Sequence, residues 1–260
     1  MKILFVGEIV AKPGRQVVSE FLPQIIKEEK PDFVVANAEN LAGGRGITQD
    51  TIDEMRLIGI DYFTSGEHVF WHKGSEEFIE NMPVLRPANY PENTPGKGYD
   101  VIDIGAKGKI LLINLMGQTS FGNKNAFLEN PFKIARNLLD KAKTDDIDVV
   151  LIDFHAEATS EKYSLGFYLD GEVDGIVGTH THVPTCDGIV LPKGTLYITD
   201  VGMCGAVDSS LGVKAETTIR MFLTARNQRF EWESAGRKAF RSVLLNTEDK
   251  SIKRIDKMIT

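Results

Sequence analysis

Apolar positions along the chain fall into two rhythms. Short runs, mostly apolar or β-branched, occur at residues 2–6, 32–38, 61–65, 99–104, 109–116, 148–154, 175–178 and 195–199. Their length and composition predict strands, and because they are apolar almost continuously, strands covered on both faces. Between several of them the spacing becomes helical. Residues 15–30 place Val18, Phe21, Leu22, Ile25 and Ile26 on one side, with an interruption expected at Pro23. Residues 48–58 have Thr48 as N-cap and Gly59 as stop, and 131–143 open on Pro131, since proline is tolerated in a first helical turn.

Alternating strands and helices predict an α/β fold with sheet buried between helices. The hairpin-like stretch 99–116 and the short runs after Pro184 predict a mixed or second sheet. No linker, charge run or internal repeat divides the chain, so residues 1–260 are expected to form a single domain.

Composition narrows the class. With 42% hydrophobic and 26% charged residues, disorder, collagen and coiled coil are excluded. No apolar run approaches the ~20 residues of a membrane span, and the N-terminus reaches Glu8 too early for a signal peptide. A cytoplasmic protein without a membrane partner is expected. The net charge of −7 argues against stable nucleic-acid binding, which needs clustered Lys and Arg, yet permits a small phosphate ligand held by metal. Cys186 and Cys204 are too few for a disulfide framework and are expected as free, buried thiols.

The residues that follow the strands carry the chemistry. Glu8 follows the first, Glu39 and Asn40 the second, Glu67 and His68 the third, His155 the strand at 148–154, and His180 and His182 the strand at 175–178. In open α/β sheets ligands bind outside the carboxyl ends of strands, so five segments deliver metal-competent side chains to one edge. Of the five histidines, only His72 is elsewhere. In extended chain His180 and His182 would point to the same face, a spacing that suits two ligands reaching two adjacent metals, with Glu39 as a bridge. Imidazole and carboxylate donors without thiolate suit iron, manganese or zinc.

Other features are weaker. The loop Ala42-Gly43-Gly44-Arg45-Gly46 lacks the ending of a P-loop and is either a flexible loop beside the site or a substrate contact. Asp153 either orients a ligand or closes a strand end. His72 is expected at the rim, and Phe70 and Trp71 either pack or form a wall for a base. Ser160 lacks the Gly-x-Ser-x-Gly setting of a serine hydrolase.

Gly7-Glu8-Ile9-Val10, Asn37-Ala38-Glu39-Asn40, Gly66-Glu67-His68, the block from Asp153 to Lys162 and the block from Gly178 to Thr185 together resemble the calcineurin-like metallophosphoesterases, and within them the bacterial YmdB-type phosphodiesterases. The resemblance extends from residue 1 to about residue 245. It implies a four-layer α/β/β/α sandwich, a centre of two divalent metal ions, and hydrolysis of phosphodiesters such as 2′,3′-cyclic nucleotides. Carried over by position, Glu39 bridges both metals. Glu8, Asn40 and His182 hold the first, Glu67, His155 and His180 hold the second, and His68 is the general acid. The family pattern has Asp in place of Glu8 and Asn in place of Glu67.

The expected reaction is two-metal phosphodiester hydrolysis, with metal-borne hydroxide as nucleophile. Two alternatives stand beside it: a metal-binding regulatory protein whose Glu8 and Glu67 have cost it catalysis, and a phosphomonoesterase with the same centre. The expected ligand is a small-molecule phosphodiester, the residues that bind it are not identified, and a homo-oligomer is left open.

Overall fold

A strand that is apolar at every position must be covered on both faces. In the computed structural model, which describes residues 1–119, 127–142 and 146–260, two stacked sheets flanked by helices meet that demand. The elements begin with β1 (Lys2–Val6), β2 (Glu8–Ile9), α1 (Ala11–Glu29), β3 (Phe33–Asn37), α2 (Gln49–Ile58), β4 (Tyr62–Thr64) and α3 (Ser75–Phe78). The chain continues through β5 (Tyr99–Asp103), β6 (Lys109–Met116), α4 (Pro131–Ala142), β7 (Val149–His155), α5 (Thr159–Tyr168) and β8 (Gly175–Thr179). It ends with β9 (Ile189–Val190), β10 (Leu196–Ile198), β11 (Met203–Ala206), α6 (Ala215–Thr224), β12 (Lys238–Asn246) and β13 (Ser251–Ile259).

The first sheet has the order β2-β11-β12-β1-β3-β4, with β13 on the other edge of β12. Here β1, β3 and β4 are parallel, and β12 is antiparallel to its neighbours β1, β11 and β13. The second has the order β5-β6-β7-β8-β10-β9, parallel from β6 to β10 with antiparallel strands at both edges. The expected 99–116 hairpin is the β5–β6 pair, with Tyr99 opposite Ile113 and Asp103 opposite Lys109.

Strand side chains alternate between faces, and the core divides accordingly. Ile3 and Phe5 of β1 meet Ile110 and Leu112 of β6 and Leu151 of β7 between the sheets. Their neighbours Leu4 and Val6 pack on Val17, Val18, Leu22 and Ile25 of α1 and Ile52 of α2. Leu111 and Ile113 of β6 pack on Ala135 and Leu139 of α4 and Leu165 of α5. The layers are therefore helix, sheet, sheet, helix, the four-layer sandwich that the resemblance implies.

Several local expectations need correction. Pro23 does not interrupt α1, which is continuous from Ala11 to Glu29. Pro23 is exposed, and the buried contacts of Val17, Val18, Leu22 and Ile25 hold the opposite side of the helix in place. The helix also starts earlier than expected, with Pro13 and Gly14 in its first turn. His155 is the last residue of β7 and does not lie beyond it. The helix α2 forms as predicted, capped reciprocally by Thr48 and Thr51 and stopped by Gly59 at φ 116°. Lys143, the expected end of the third helix, lies outside the described residues.

Four elements form beyond residue 199 where no element was predicted. In β13 the apolar residues Ile252, Ile255 and Met258 recur at every third position, which breaks the two-residue rhythm of a strand, and α6 buries only Thr218. Both cysteines are free, but Cys186 is exposed, so only Cys204 fits the buried expectation. Burial pushes the Cys204 thiol up to about 12. Among the described residues, no helix is long and apolar enough to cross a membrane.

Candidate metal centre

The carboxyl ends of β1, β3 and β4 in one sheet and of β7 and β8 in the other open onto the same end of the sandwich. All eight residues singled out there lie in one network of contacts. Ligand atoms of Glu39, Glu67, His155 and His180 lie within 4.8 Å of one another, a group that could hold a metal ion. Beside it, Glu8 Oε1 lies 2.9 Å from His182 Nε2 and accepts a hydrogen bond from the Asn40 amide. Asn40 turns its nitrogen to Glu8 and His182 and its Oδ1 to His68, so offering an oxygen to a cation takes a half-turn of the amide. Glu39 touches both halves of the network, with Oε2 3.3 Å from His155 Nε2 and Oε1 2.8 Å from His68 Nδ1.

Each of the three strand-end histidines other than His68 is anchored through one ring nitrogen and presents the other to the cluster. His182 Nδ1 donates to the Leu211 carbonyl at 3.0 Å, His180 Nε2 lies 3.0 Å from Glu157 Oε2, and His155 Nδ1 lies 2.9 Å from Thr179 Oγ1. Such outward anchors select the tautomer and aim the remaining lone pair inward. Thr179 Oγ1 in turn donates to Asp153 Oδ1 at 2.8 Å, and Asp153 also accepts from Asn37 and Thr64. Asp153 therefore positions His155 through Thr179, which resolves the choice between orienting a ligand and closing a strand.

The expectation for residues 180–182 was wrong in its geometry. The strand β8 stops at Thr179, and His180 and His182 have φ of 102° and 64°, a turn and not extended chain. Positive φ at non-glycine residues is costly and persists only where surrounding contacts impose it. Here a buried ion pair does so. Lys162 Nζ donates to the Thr179 carbonyl at 2.7 Å and to Asp200 Oδ2 at 2.8 Å, while Asp200 Oδ2 accepts from the Thr181 amide at 3.0 Å. His180 joins Glu67 and His155 while His182 joins Glu8 and Asn40, so the two still serve different halves. Gly66 is required beside them, since a Cβ there would lie 2.0 Å from Glu39 Oε2.

The buried carboxylates give the site a demand for positive charge. Burial alone would raise Glu8 and Glu39 and lower His155 and His182, yet mutual attraction outweighs it in all four. Glu39 is held well below the usual carboxylate range by His155 and His68, and His155 well above the usual imidazole value by Glu39 and Glu67. Burial opposes and Glu8 raises His182, which reaches about 9, whereas burial and the neighbouring His155 lower His180. A cluster of three carboxylates that stabilises imidazolium also stabilises metal cations, so the donor set fits divalent ions.

The centre forms one wall of a cleft of about 400 Å³. Glu39, Glu67, His68, His180 and His182 line it together with an apolar wall of Leu211, Val213, Met221, Phe222, Phe230 and Trp232. His72 sits at the rim of an adjacent cleft, its Nε2 donating to the Ala42 carbonyl at 3.0 Å. Sequence reasoning missed the apolar wall, Glu157, Lys162 and Asp200. Asp200 directly follows the strand predicted at 195–199, so the strand-end rule applied there would have found it.

A two-sheet sandwich with acidic and imidazole donors gathered at its strand ends defines a metallophosphoesterase-type fold with a candidate metal centre. The chain belongs to the YmdB-like protein family, whose model matches residues 4–258. It is 41% identical over 256 residues to the 2′,3′-cyclic-nucleotide 2′-phosphodiesterase of Bacillus subtilis, covering 98% of this chain and 94% of that one. Among solved structures, a protein from Thermus thermophilus matches with a TM-score of 0.92 at 38% identity, covering all of both chains. A Mycoplasma pneumoniae protein described as a novel phosphatase matches with a TM-score of 0.88 at 32% identity, covering all of this chain and 93% of that one.

Proposed function

We propose that the protein is a phosphodiesterase that opens 2′,3′-cyclic nucleotides, using a pair of divalent cations. The observation that carries the reading is the convergence of Glu39, Glu67, His155 and His180, of which Glu39, Glu67 and His180 face, with His68, the same cleft. The 41% identity to the Bacillus subtilis enzyme supports the substrate class. Glu8, Asn40 and His182 would hold one cation, Glu67, His155 and His180 the other, and Glu39 would bridge. When bound, iron, manganese or zinc ions supply Lewis acidity towards the phosphate oxygens and acidify water.

The chain's own residues account for the rest. Water adds to phosphorus, a P–O bond to the ribose breaks, and the leaving oxygen takes a proton. His68 is placed to give it. Its Nδ1 is engaged by Glu39 at 2.8 Å, and among the described residues no hydrogen-bond partner reaches Nε2. Burial lowers the imidazole but Glu39 outweighs it, so His68 is held above its ordinary value, and its Nε2 is free to donate to the leaving group. Anchoring of His155, His180 and His182 from outside keeps the donors in place without rearrangement.

The test is hydrolysis of adenosine 2′,3′-cyclic phosphate by chelator-treated protein with and without added Mn²⁺. Turnover restored by Mn²⁺, and reduced about 10²- to 10⁴-fold in His68→Ala with bound metal unchanged, is expected. Absence of turnover in protein that binds Mn²⁺ would favour the regulatory reading. The likeness to a protein described as a phosphatase gives the monoester reading some support, and a faster rate on a chromogenic monoester than on its bis-ester would favour it.

A further inference from the structure

Arg45, on the glycine-containing loop at residues 42–46, lies between two aromatic rings, its guanidinium carbon 4.7 Å from the Trp71 ring centroid and 5.3 Å from that of Phe230. Arg15, Arg136, Arg237, Arg241 and Arg254 each pair with a carboxylate. Among the described residues no carboxylate pairs with Arg45 or Arg229. A guanidinium held by ring faces keeps its in-plane N–H donors for a ligand, and their fork matches a phosphate. Arg45, Phe230 and Trp232 line both the metal cleft and an adjoining cleft of about 370 Å³, where Trp71, His72 and Arg229 complete the lining. Cations beside flat aromatic surfaces are the chemistry that binds a nucleotide unit, phosphate and base together.

From this we infer that the adjoining cleft is a second nucleotide subsite, so that the substrate is the end of a short RNA bearing a terminal 2′,3′-cyclic phosphate. The inference rests on the phosphodiesterase reading. It follows from direction: the leaving ribose oxygen must face His68, whose ring packs edge-on against Trp71 with centroids 5.5 Å apart. The same ribose carries the preceding phosphate on its 5′ carbon. That phosphate falls on the side of Trp71 and Arg45, and the preceding base on the face of Phe230 turned away from Arg45. Recognition of one chain end by two arginines is compatible with a net charge of −7, which disfavours binding along a nucleic-acid backbone.

The experiment compares kcat/KM, with Mn²⁺ present, for adenosine 2′,3′-cyclic phosphate, the same compound with a 5′-phosphate, and an adenosine dinucleotide ending in the cyclic phosphate. The dinucleotide is expected to exceed the mononucleotide by about tenfold or more, the value of one stacked base. The 5′-phosphorylated compound, which supplies charge without the second base, should fall between them. In Arg229→Ala and in Arg45→Lys the ratio of dinucleotide to mononucleotide should fall towards one. A ratio near one in the wild type, or one unmoved by Arg229→Ala, would overturn the subsite. Equality of the 5′-phosphorylated compound with the dinucleotide would overturn the stacking wall. If none of the three compounds is hydrolysed, it is the phosphodiesterase reading itself that fails.

Discussion

The side chains of the centre make separable contributions. His155 and His180 meet Glu67 in one half and His182 meets Glu8 in the other. His155→Ala and His180→Ala should each roughly halve the bound cation by emptying the same half, and elemental analysis showing full occupancy in both would refute the grouping. Glu39→Ala should disturb both halves. Glu67 stands where the resemblance implies Asn, and Glu8 where it implies Asp. With cations bound as proposed, the added carboxylate would make the centre less positive, so that it would acidify water less and polarise phosphate less. Joint replacement Glu8→Asp with Glu67→Asn is expected to raise the rate and move the pH profile to lower pH at saturating Mn²⁺. An unchanged or slower enzyme would show that both glutamates are tuned to this site.

Among the elements, the turn after β8 is the most dependent on distant support. Lys162, on α5, and Asp200, after β10, are both almost fully buried and together fix the Thr179 carbonyl and the Thr181 amide. Removing one member leaves the other charge buried and unpaired, so Lys162→Met should cost about 3–5 kcal/mol in denaturant unfolding. Asp200→Asn with Lys162→Met should recover part of that loss, which a purely local effect of either change would not. The next loop contributes a pH-dependent part. Burial acts to raise Asp187, but hydrogen bonds from Thr185 and Thr199 outweigh it and hold the carboxyl below its ordinary value. A carboxylate depressed on folding stabilises above its unfolded pKa, near 4, and that contribution is lost as pH falls through the lower folded value. Wild-type protein should therefore lose more stability than Asp187→Asn between about pH 5 and pH 2.

Across the whole molecule, the core and the centre are linked through the strands but separated along them. Leu112 is fully buried between the sheets in β6, whereas the donors sit at strand ends. Leu112→Ala should cost about 2–5 kcal/mol on unfolding while the folded protein still binds its cations at full stoichiometry. Loss of metal in the folded variant would mean that the sheets transmit packing changes to the donors. With a net charge of −7 the molecule as a whole repels an anion, so under the proposed function attraction of the substrate would come from the cations held at the centre and from Arg45 and Arg229.

Most of the longer strands, the helices α1, α2 and α4 and the candidate donors were legible in the sequence because each is a local property. An apolar run sets a strand, and the polar residue that ends it marks where burial stops. Thus Glu8, Glu39, Glu67, His155 and His180 could be picked out before their partners were known. The elements after residue 199 were not legible, since α6 buries too little and β13 spaces its apolar residues by three, without the two-residue rhythm of a strand. Tertiary structure alone decided how the donors divide between two halves, which ring nitrogen of each histidine faces inward, and that residues 180–182 turn where they had been expected to extend. The same holds for Lys162 with Asp200 and for Arg45 between Trp71 and Phe230. These pairings join residues 26 to 185 positions apart, and their meeting is set by sheet order and helix packing, which no local pattern of side chains encodes.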